Sequence, residues 1–134
     1  GDAGMTLYTV GSIKRIPGYK QYAAVDGGMT DNPRYALYQS RYTVYHGSKT
    51  GPTERFDVVG RCCESGDIIQ PHVELPADTC RGDILAVCTT GAYNYSMASN
   101  YNRLPRPPIV MLTPEGSYTA VRRETFADLT ALDE

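Results

Sequence analysis

Apolar and polar positions alternate over short runs along most of this chain. The runs at 7–13, 22–25, 36–45, 56–59, 68–75, 84–89, 109–112 and 118–122 are rich in Val, Ile, Thr and Tyr. Such runs predict β-strands when turn residues bound them. The breakers fall between them: Pro17-Gly18, Gly27-Gly28, Asn32-Pro33, the stretch 47–52, Gly66, Pro76, Gly82, the stretch 105–108 and Glu115-Gly116. Many short strands with Gly/Pro turns predict a mainly β fold, an antiparallel β barrel or sandwich. One short C-terminal helix is expected. Thr125 can cap it, Asp128 lies three residues on, and Phe126, Leu129 and Leu132 then share a face. A single helical turn is expected around residues 93–98.

With 134 residues the chain is sized for one domain with a core of its own. The formal charge is −2 and the basic residues are scattered, which argues against a nucleic-acid partner held by a basic face. No apolar run approaches the roughly 20 residues that span a bilayer, and no secretion signal opens the sequence. Cys62, Cys63, Cys80 and Cys88 have two readings, as two disulfides of a secreted protein or as free thiols. Adjacent Cys62 and Cys63 do not make a metal-site spacing, and free thiols in a cytoplasmic protein are the favoured reading. The start Gly1-Asp2-Ala3-Gly4, without methionine, suggests a piece of a longer chain.

Two stretches carry chemistry rather than core: CCESGD at 62–67 and GAYNYSMASNYNRLPR at 91–106. Both mix glycine, which lets backbone turn tightly or approach a ligand, with reactive side chains. Read for residue type alone, Cys63, Glu64, Asp67, Tyr93, Tyr95 and Arg106 are candidates. Arg34 and Tyr38, in the segment after Asn32-Pro33, form a pair suited to a carboxylate: a guanidinium fork with a phenol beside it. The plain readings are a surface Arg34, a half-buried strand Tyr38, a solvated loop Glu64, a small buried hydrophobe for Cys63 and an aromatic packed at a domain junction for Tyr93.

Four motifs in order change that balance. VDGGMTDNPRYALY (25–38), CESGD (63–67), TGAYNYSMASNYNRLPRP (90–107) and VRRETFADL (121–129) resemble the C-terminal domain of diaminopimelate decarboxylase. TLYTVGSIKRIPG (6–18) resembles the crossing from that enzyme's barrel domain. The resemblance implies that residues 1–134 are the C-terminal β domain of a two-domain pyridoxal 5'-phosphate enzyme whose N-terminal (β/α)8 barrel lies outside this sequence. It implies a homodimer whose active sites draw on both subunits, with meso-diaminopimelate converted to L-lysine and CO2. A segment of the parent's own N-terminus would complete this domain, so an open edge or apolar patch is expected here.

The resemblance also assigns roles. It places Arg34 and Tyr38 on the distal carboxylate of the substrate and Glu64 on its distal ammonium. Cys63 becomes the thiol that reaches the partner's site near the reacting carbon, and Tyr93 contacts the cofactor phosphate and the substrate. Cys62 fits a small buried hydrophobe better, and Asp67 a loop-shaping role. Tyr95, Ser96, Asn100 and Asn102 are expected to hold backbone, and His46 and His72 to be surface or strand residues. No metal is called for. The lysines Lys14, Lys20 and Lys49 match no cofactor lysine of the family, so the domain alone is expected to be inert. Sister decarboxylases of ornithine, lysine, arginine or carboxynorspermidine often carry Asp after the Cys. Here Glu64 follows Cys63 and SMASNYN is intact, which favours diaminopimelate. A β module that only binds a partner protein is the alternative from another class, and it leaves the polar motifs without a purpose.

Overall fold

A computed structural model describes residues 1–134. The first strand, β1 (Met5–Ile16), is long because it serves two partners. Its first half pairs antiparallel with β6 (Ile84–Cys88), and its second half with β2 (Lys20–Val25). An irregularity between Val10 and Ser12 marks the change of partner. Such a bulge bends a strand and increases its twist, which helps a sheet to curl. The β1–β2 turn runs through Pro17-Gly18. Gly18 takes φ +71°, and the Tyr19 N–H donates to the Ile16 carbonyl at 3.0 Å, so proline and glycine sit where a type II turn requires them.

β4 (Thr53–Val59) and β5 (Ile68–Pro76) continue the sheet, and β3 (Val44–His46) lies beyond β6. The order is β3-β6-β1-β2-β4-β5. The sheet curls until its two ends meet, where the Tyr42 N–H donates to Gln70 Oε1 at 2.7 Å. The result is a nearly closed six-stranded barrel. Its interior is packed with Tyr8, Val10, Ala23, Val25, Val44, Phe56, Val58, Ile69, Val73, Leu75, Leu85 and Val87. These are the inward members of the alternating runs.

Two expectations need correction. The barrel is mixed rather than wholly antiparallel, because β2 and β4 run parallel, with Tyr22 opposite Asp57 and Ala24 opposite Val59. The chain makes a long excursion between them, as a parallel pair requires. Alternation along a strand reports its buried face, not the direction of its neighbour. The run 36–45 is also not one strand. Residues Arg34–Tyr38 form the short helix α1, and only Val44–His46 are strand. Pro33 caps the start, the Leu37 N–H donates to its carbonyl at 3.0 Å, and Gln39 in the left-handed region ends the helix. An Asn-Pro start followed by Ala36 and Leu37, with no β-branched residue, was the available helix signal.

A half-buried ion cluster holds the β3–β6 edge. Asp83 accepts from Lys49 Nζ at 2.7 Å and from the Cys80 N–H at 2.8 Å, and His46 Nε2 lies 3.1 Å away. Burial works to raise the Asp83 carboxyl, but these donors outweigh it and hold the group below the usual carboxylate range. His46 is a strand residue, the last of β3, one of the two placements expected for it. Its Nδ1 accepts from the Ser48 and Lys49 N–H groups, and its side chain is buried. His72 is exposed, as expected.

The strands β7 (Ile109–Thr113) and β8 (Gly116–Val121) form a separate hairpin. Val110, Met111, Leu112 and Tyr118 are exposed on it, Leu112 at 78%. A bare two-stranded hairpin is marginal in water, so this apolar surface is of the kind that another strand or subunit covers. After it comes the helix α3 (Phe126–Leu129), with the expected capping box between Thr125 and Asp128. It is a single turn, and Phe126 and Leu132 are exposed rather than packed within the chain. No helix is long and apolar enough to cross a membrane, and all four cysteines are free.

Candidate functional site

The glycine turn at 27–32 and the loop at 60–67 are held together by one buried carboxylate. Asp67 accepts from the Met29 N–H at 2.6 Å and from the Cys62 N–H at 2.7 Å. Both glycines beside it are required by contact. A Cβ at Gly60 would lie 2.2 Å from Asp67 Oδ2, and one at Gly28 would lie 2.7 Å from the same group. Asp67 thus shapes the loop, as read from the sequence. Asp31 secures the other side, accepting from the Gly28 N–H at 2.8 Å and from the Tyr8 hydroxyl.

This staple sets the direction of α1, which begins at Arg34. A second short helix, α2 (Asn94–Met97), is drawn against the same turn by the Ser99 N–H, which donates to the Thr30 carbonyl at 2.8 Å. The Tyr42 hydroxyl donates to Asn94 Oδ1 at 3.2 Å. Arg34 consequently lies between two phenols. Its guanidinium is 5.3 Å from the Tyr38 ring centroid and 5.4 Å from that of Tyr93, and its Nη1 is 3.8 Å from Met97 Sδ. Contacts of this kind orient a guanidinium without neutralising it. Arg34 makes no ion pair within the chain, and neither do Arg41, Arg61, Arg81 and Arg123, whereas Arg15, Arg55, Arg103, Arg106 and Arg122 each do. Its fork is available to an external carboxylate.

Glu64 lies on a neighbouring cleft of about 350 Å³, lined by Met29, Pro33, Leu37, Met97, Ser99 and Tyr101. The Tyr101 hydroxyl donates to Glu64 Oε1 at 2.5 Å. Met97 joins this cleft to the Arg34 group, since it touches both. Cys63 is exposed, and Cys62 is buried. Burial and then nearby Asp67 push the Cys62 thiol above its ordinary value, so it is the less reactive of the two. The burial of Cys62 agrees with its sequence reading as a small buried hydrophobe.

Beyond α2 the chain makes a 3₁₀ turn at Tyr101–Arg103, fixed from the C-terminal segment. Glu124 accepts from Arg106 Nε at 2.8 Å, from the Arg106 N–H at 2.8 Å and from Asn100 Nδ2 at 2.6 Å. The Arg106 side chain, then its backbone N–H, holds the Glu124 carboxyl down to about 2. Arg106 is thus structural here, and Asn100 holds backbone as expected, donating also to the Leu104 carbonyl at 3.0 Å. Ser96 Oγ does so as well, on the Tyr93 carbonyl at 2.8 Å.

The structure brings Arg34, Tyr38 and Tyr93 into one group and sets Glu64 on the adjoining cleft, while Cys63 faces solvent one residue away. Sequence reasoning missed Tyr101, Met97 and Glu124. In a chain with 11 tyrosines, nothing in the sequence singles out Tyr101. A larger groove of about 770 Å³ at the β1–β2 tip is not the better candidate. None of Arg34, Tyr38, Cys63, Glu64 and Tyr93 lines it, and its charges are already matched, Lys20 with Asp57 at 2.7 Å and Arg15 with Glu54 at 3.7 Å.

The model of the pyridoxal-dependent decarboxylase C-terminal sheet domain matches residues 2–91. The chain belongs to this family. It is 50% identical to the diaminopimelate decarboxylase of Bacillus subtilis over 99% of its own length and 30% of that protein's. It is 41% identical to the one from Staphylococcus aureus, over 99% of this chain and 32% of that one. The chain therefore spans about 30% of the length of the curated relatives it matches. Among solved structures, the diaminopimelate decarboxylase of M. jannaschii in co-complex with L-lysine superposes with a TM-score of 0.94. It shares 35% identity over 99% of this chain and 30% of that one. The lysine/ornithine decarboxylase of Vibrio vulnificus gives 0.68 at 22% identity over 76% of this chain and 28% of that one, a likeness of fold.

As for pyridoxal phosphate, the contact expected for it on this face is Tyr93. Tyr93 is 64% exposed, and its hydroxyl has no partner within the chain, so it can donate to a phosphate oxygen beside the Arg34 cation. No lysine lines the cleft, and Lys20 and Lys49 are engaged by Asp57 and Asp83. The residues fit one hold on the group, not its main cradle.

Proposed function

We propose that this chain is the C-terminal sheet domain of a diaminopimelate decarboxylase, preceded in its parent by a barrel domain. In that parent it recognises the distal end of meso-2,6-diaminopimelate. The observation that carries this reading is Arg34, an unpaired guanidinium flanked by Tyr38 and Tyr93.

Diaminopimelate has an amino-acid group at each end, so an enzyme that removes one carboxylate must hold the other end fixed. Arg34 binds the distal carboxylate through its fork, and the Tyr38 hydroxyl adds a neutral donor. Glu64 accepts from the distal ammonium. Pyridoxal phosphate, when bound, supplies the electron sink for loss of CO2. Tyr93 donates to its phosphate and borders the substrate. The reacting carbon must then regain a proton, and exposed Cys63 carries one on Sγ that a positioned thiol can deliver. The parent acts as a homodimer in this reading. Cys63 and Glu64 serve the partner's site, while Arg34, Tyr38 and Tyr93 serve their own subunit's barrel. Apolar β7–β8 is a surface that such an assembly covers. A cytoplasmic location accords with four free thiols.

Mixed dimers test the assignment. A Cys63→Ala parent and a parent lacking its cofactor lysine are each expected to be inactive. Mixing them restores up to one competent site per hybrid dimer. Hybrids that form, as shown by differential tags, yet recover no activity would contradict the sharing of residues across the interface.

A further inference from the structure

Glu64 sits on an exposed loop, where a carboxylate ordinarily samples several rotamers. Only one side-chain bond restrains it, and the donor is the Tyr101 hydroxyl at 2.5 Å, 37 positions along the chain. The turn that carries this donor is itself held at its backbone. Tyr101 opens the 3₁₀ turn in which the Arg103 N–H donates to the Asn100 carbonyl at 2.8 Å. Asn100 in turn donates to Glu124, and Glu124 is gripped by Arg106. A chain of bonds thus runs from the Arg106–Glu124 pair to the carboxylate on the cleft.

We propose that Tyr101 is a positioning residue: its hydroxyl fixes Glu64 Oε1, so that Oε2 is presented to the cationic group of a bound substrate. The inference rests on the reading of Glu64 as the ammonium acceptor. Its geometry is favourable for that purpose. A carboxylate accepts at both oxygens, so one bond to a neutral phenol leaves Oε2 free and the negative charge intact. The Glu64 bond also raises the Tyr101 phenol above its ordinary value, which keeps it a donor. An arginine or lysine in its place would neutralise Glu64, and an apolar residue would leave it mobile. Preorganisation of this kind lowers the ordering cost on binding.

The test is Tyr101→Phe in the full-length parent enzyme, which keeps the ring and its packing and removes the bond. The KM for meso-diaminopimelate is expected to rise by roughly 10-fold, in line with loss of one bond to a charged group, while kcat changes little. The second readout is the Ki of 2-aminopimelate, which keeps the distal carboxylate and lacks the distal ammonium. It should stay within about twofold, because a positioning role affects only ligands that use Glu64. Glu64→Gln provides the reference, and adding Tyr101→Phe to it should have no further effect on KM.

If Glu64→Gln raises KM and Tyr101→Phe does not, the positioning role is wrong and the ammonium reading stands. If Glu64→Gln leaves KM unchanged, both fall together. If Tyr101→Phe weakens 2-aminopimelate as much as the substrate, Tyr101 only supports the loop, and the proposal is overturned.

Discussion

Replacing Arg34 with leucine in the full-length parent is expected to lower kcat/KM for meso-diaminopimelate by ~10⁴-fold, the scale seen when a site built on hydrogen bonds loses its match to the substrate. The effect follows from what surrounds the residue. The guanidinium lies over the Tyr38 and Tyr93 rings and has no carboxylate of its own. Leucine at this position leaves the substrate's distal carboxylate without its cationic partner in a site closed by the parent's other parts. Arg34→Lys should fall between, since an ammonium is a point charge without the fork. The fold should tolerate both changes. Arg34 is only at the first position of a five-residue helix with no buried residue. The absorbance of bound pyridoxal phosphate and the melting temperature should therefore stay near those of the unmodified enzyme. A leucine variant with near-normal kcat/KM would make Arg34 structural.

The second large effect is on stability. Asp67→Ala removes the acceptor of the buried Cys62 N–H and of the part-buried Met29 N–H. An unsatisfied buried donor costs about 1–3 kcal/mol and a part-buried one less, so a loss of roughly 2–4 kcal/mol is expected. Gly60→Ala should be comparably harmful, because its Cβ would lie 2.2 Å from the carboxylate that the Met29 and Cys62 N–H groups hold in place. Urea unfolding of the domain, followed by the fluorescence of its 11 tyrosines in the absence of tryptophan, gives the number. A change under about 1 kcal/mol, the median for ordinary substitutions, would show that the two loops are held by other contacts.

Most strands were legible in the sequence because barrel strands with one packed face alternate, and the β1–β2 turn was marked by Pro17-Gly18. The first error was at 36–45, where tyrosines common to strands hid a helix announced only by Asn32-Pro33. The second was the direction of β2 against β4. That direction depends on where a crossover returns the chain, which alternation does not encode. The candidate site was legible only in part. Arg34, Tyr38, Glu64, Cys63 and Tyr93 came from motifs, and the residue types suited the chemistry assigned to them. The supports were invisible, because Tyr101 reaches Glu64 across 37 positions and Glu124 reaches Asn100 across 24. Only the folded chain brings such pairs together.

The central claim is that this domain selects a substrate with a carboxylate and an ammonium at its distal end. The most direct measurement is CO2 release by the full-length parent, loaded with pyridoxal phosphate, on meso-diaminopimelate, L-lysine and L-ornithine under the same conditions. The account predicts rapid turnover of meso-diaminopimelate to L-lysine, with kcat/KM for lysine and ornithine lower by ~10⁴-fold or more, since both lack the distal carboxylate that Arg34 is placed to bind. Comparable turnover of ornithine or lysine, or none of meso-diaminopimelate, would contradict it.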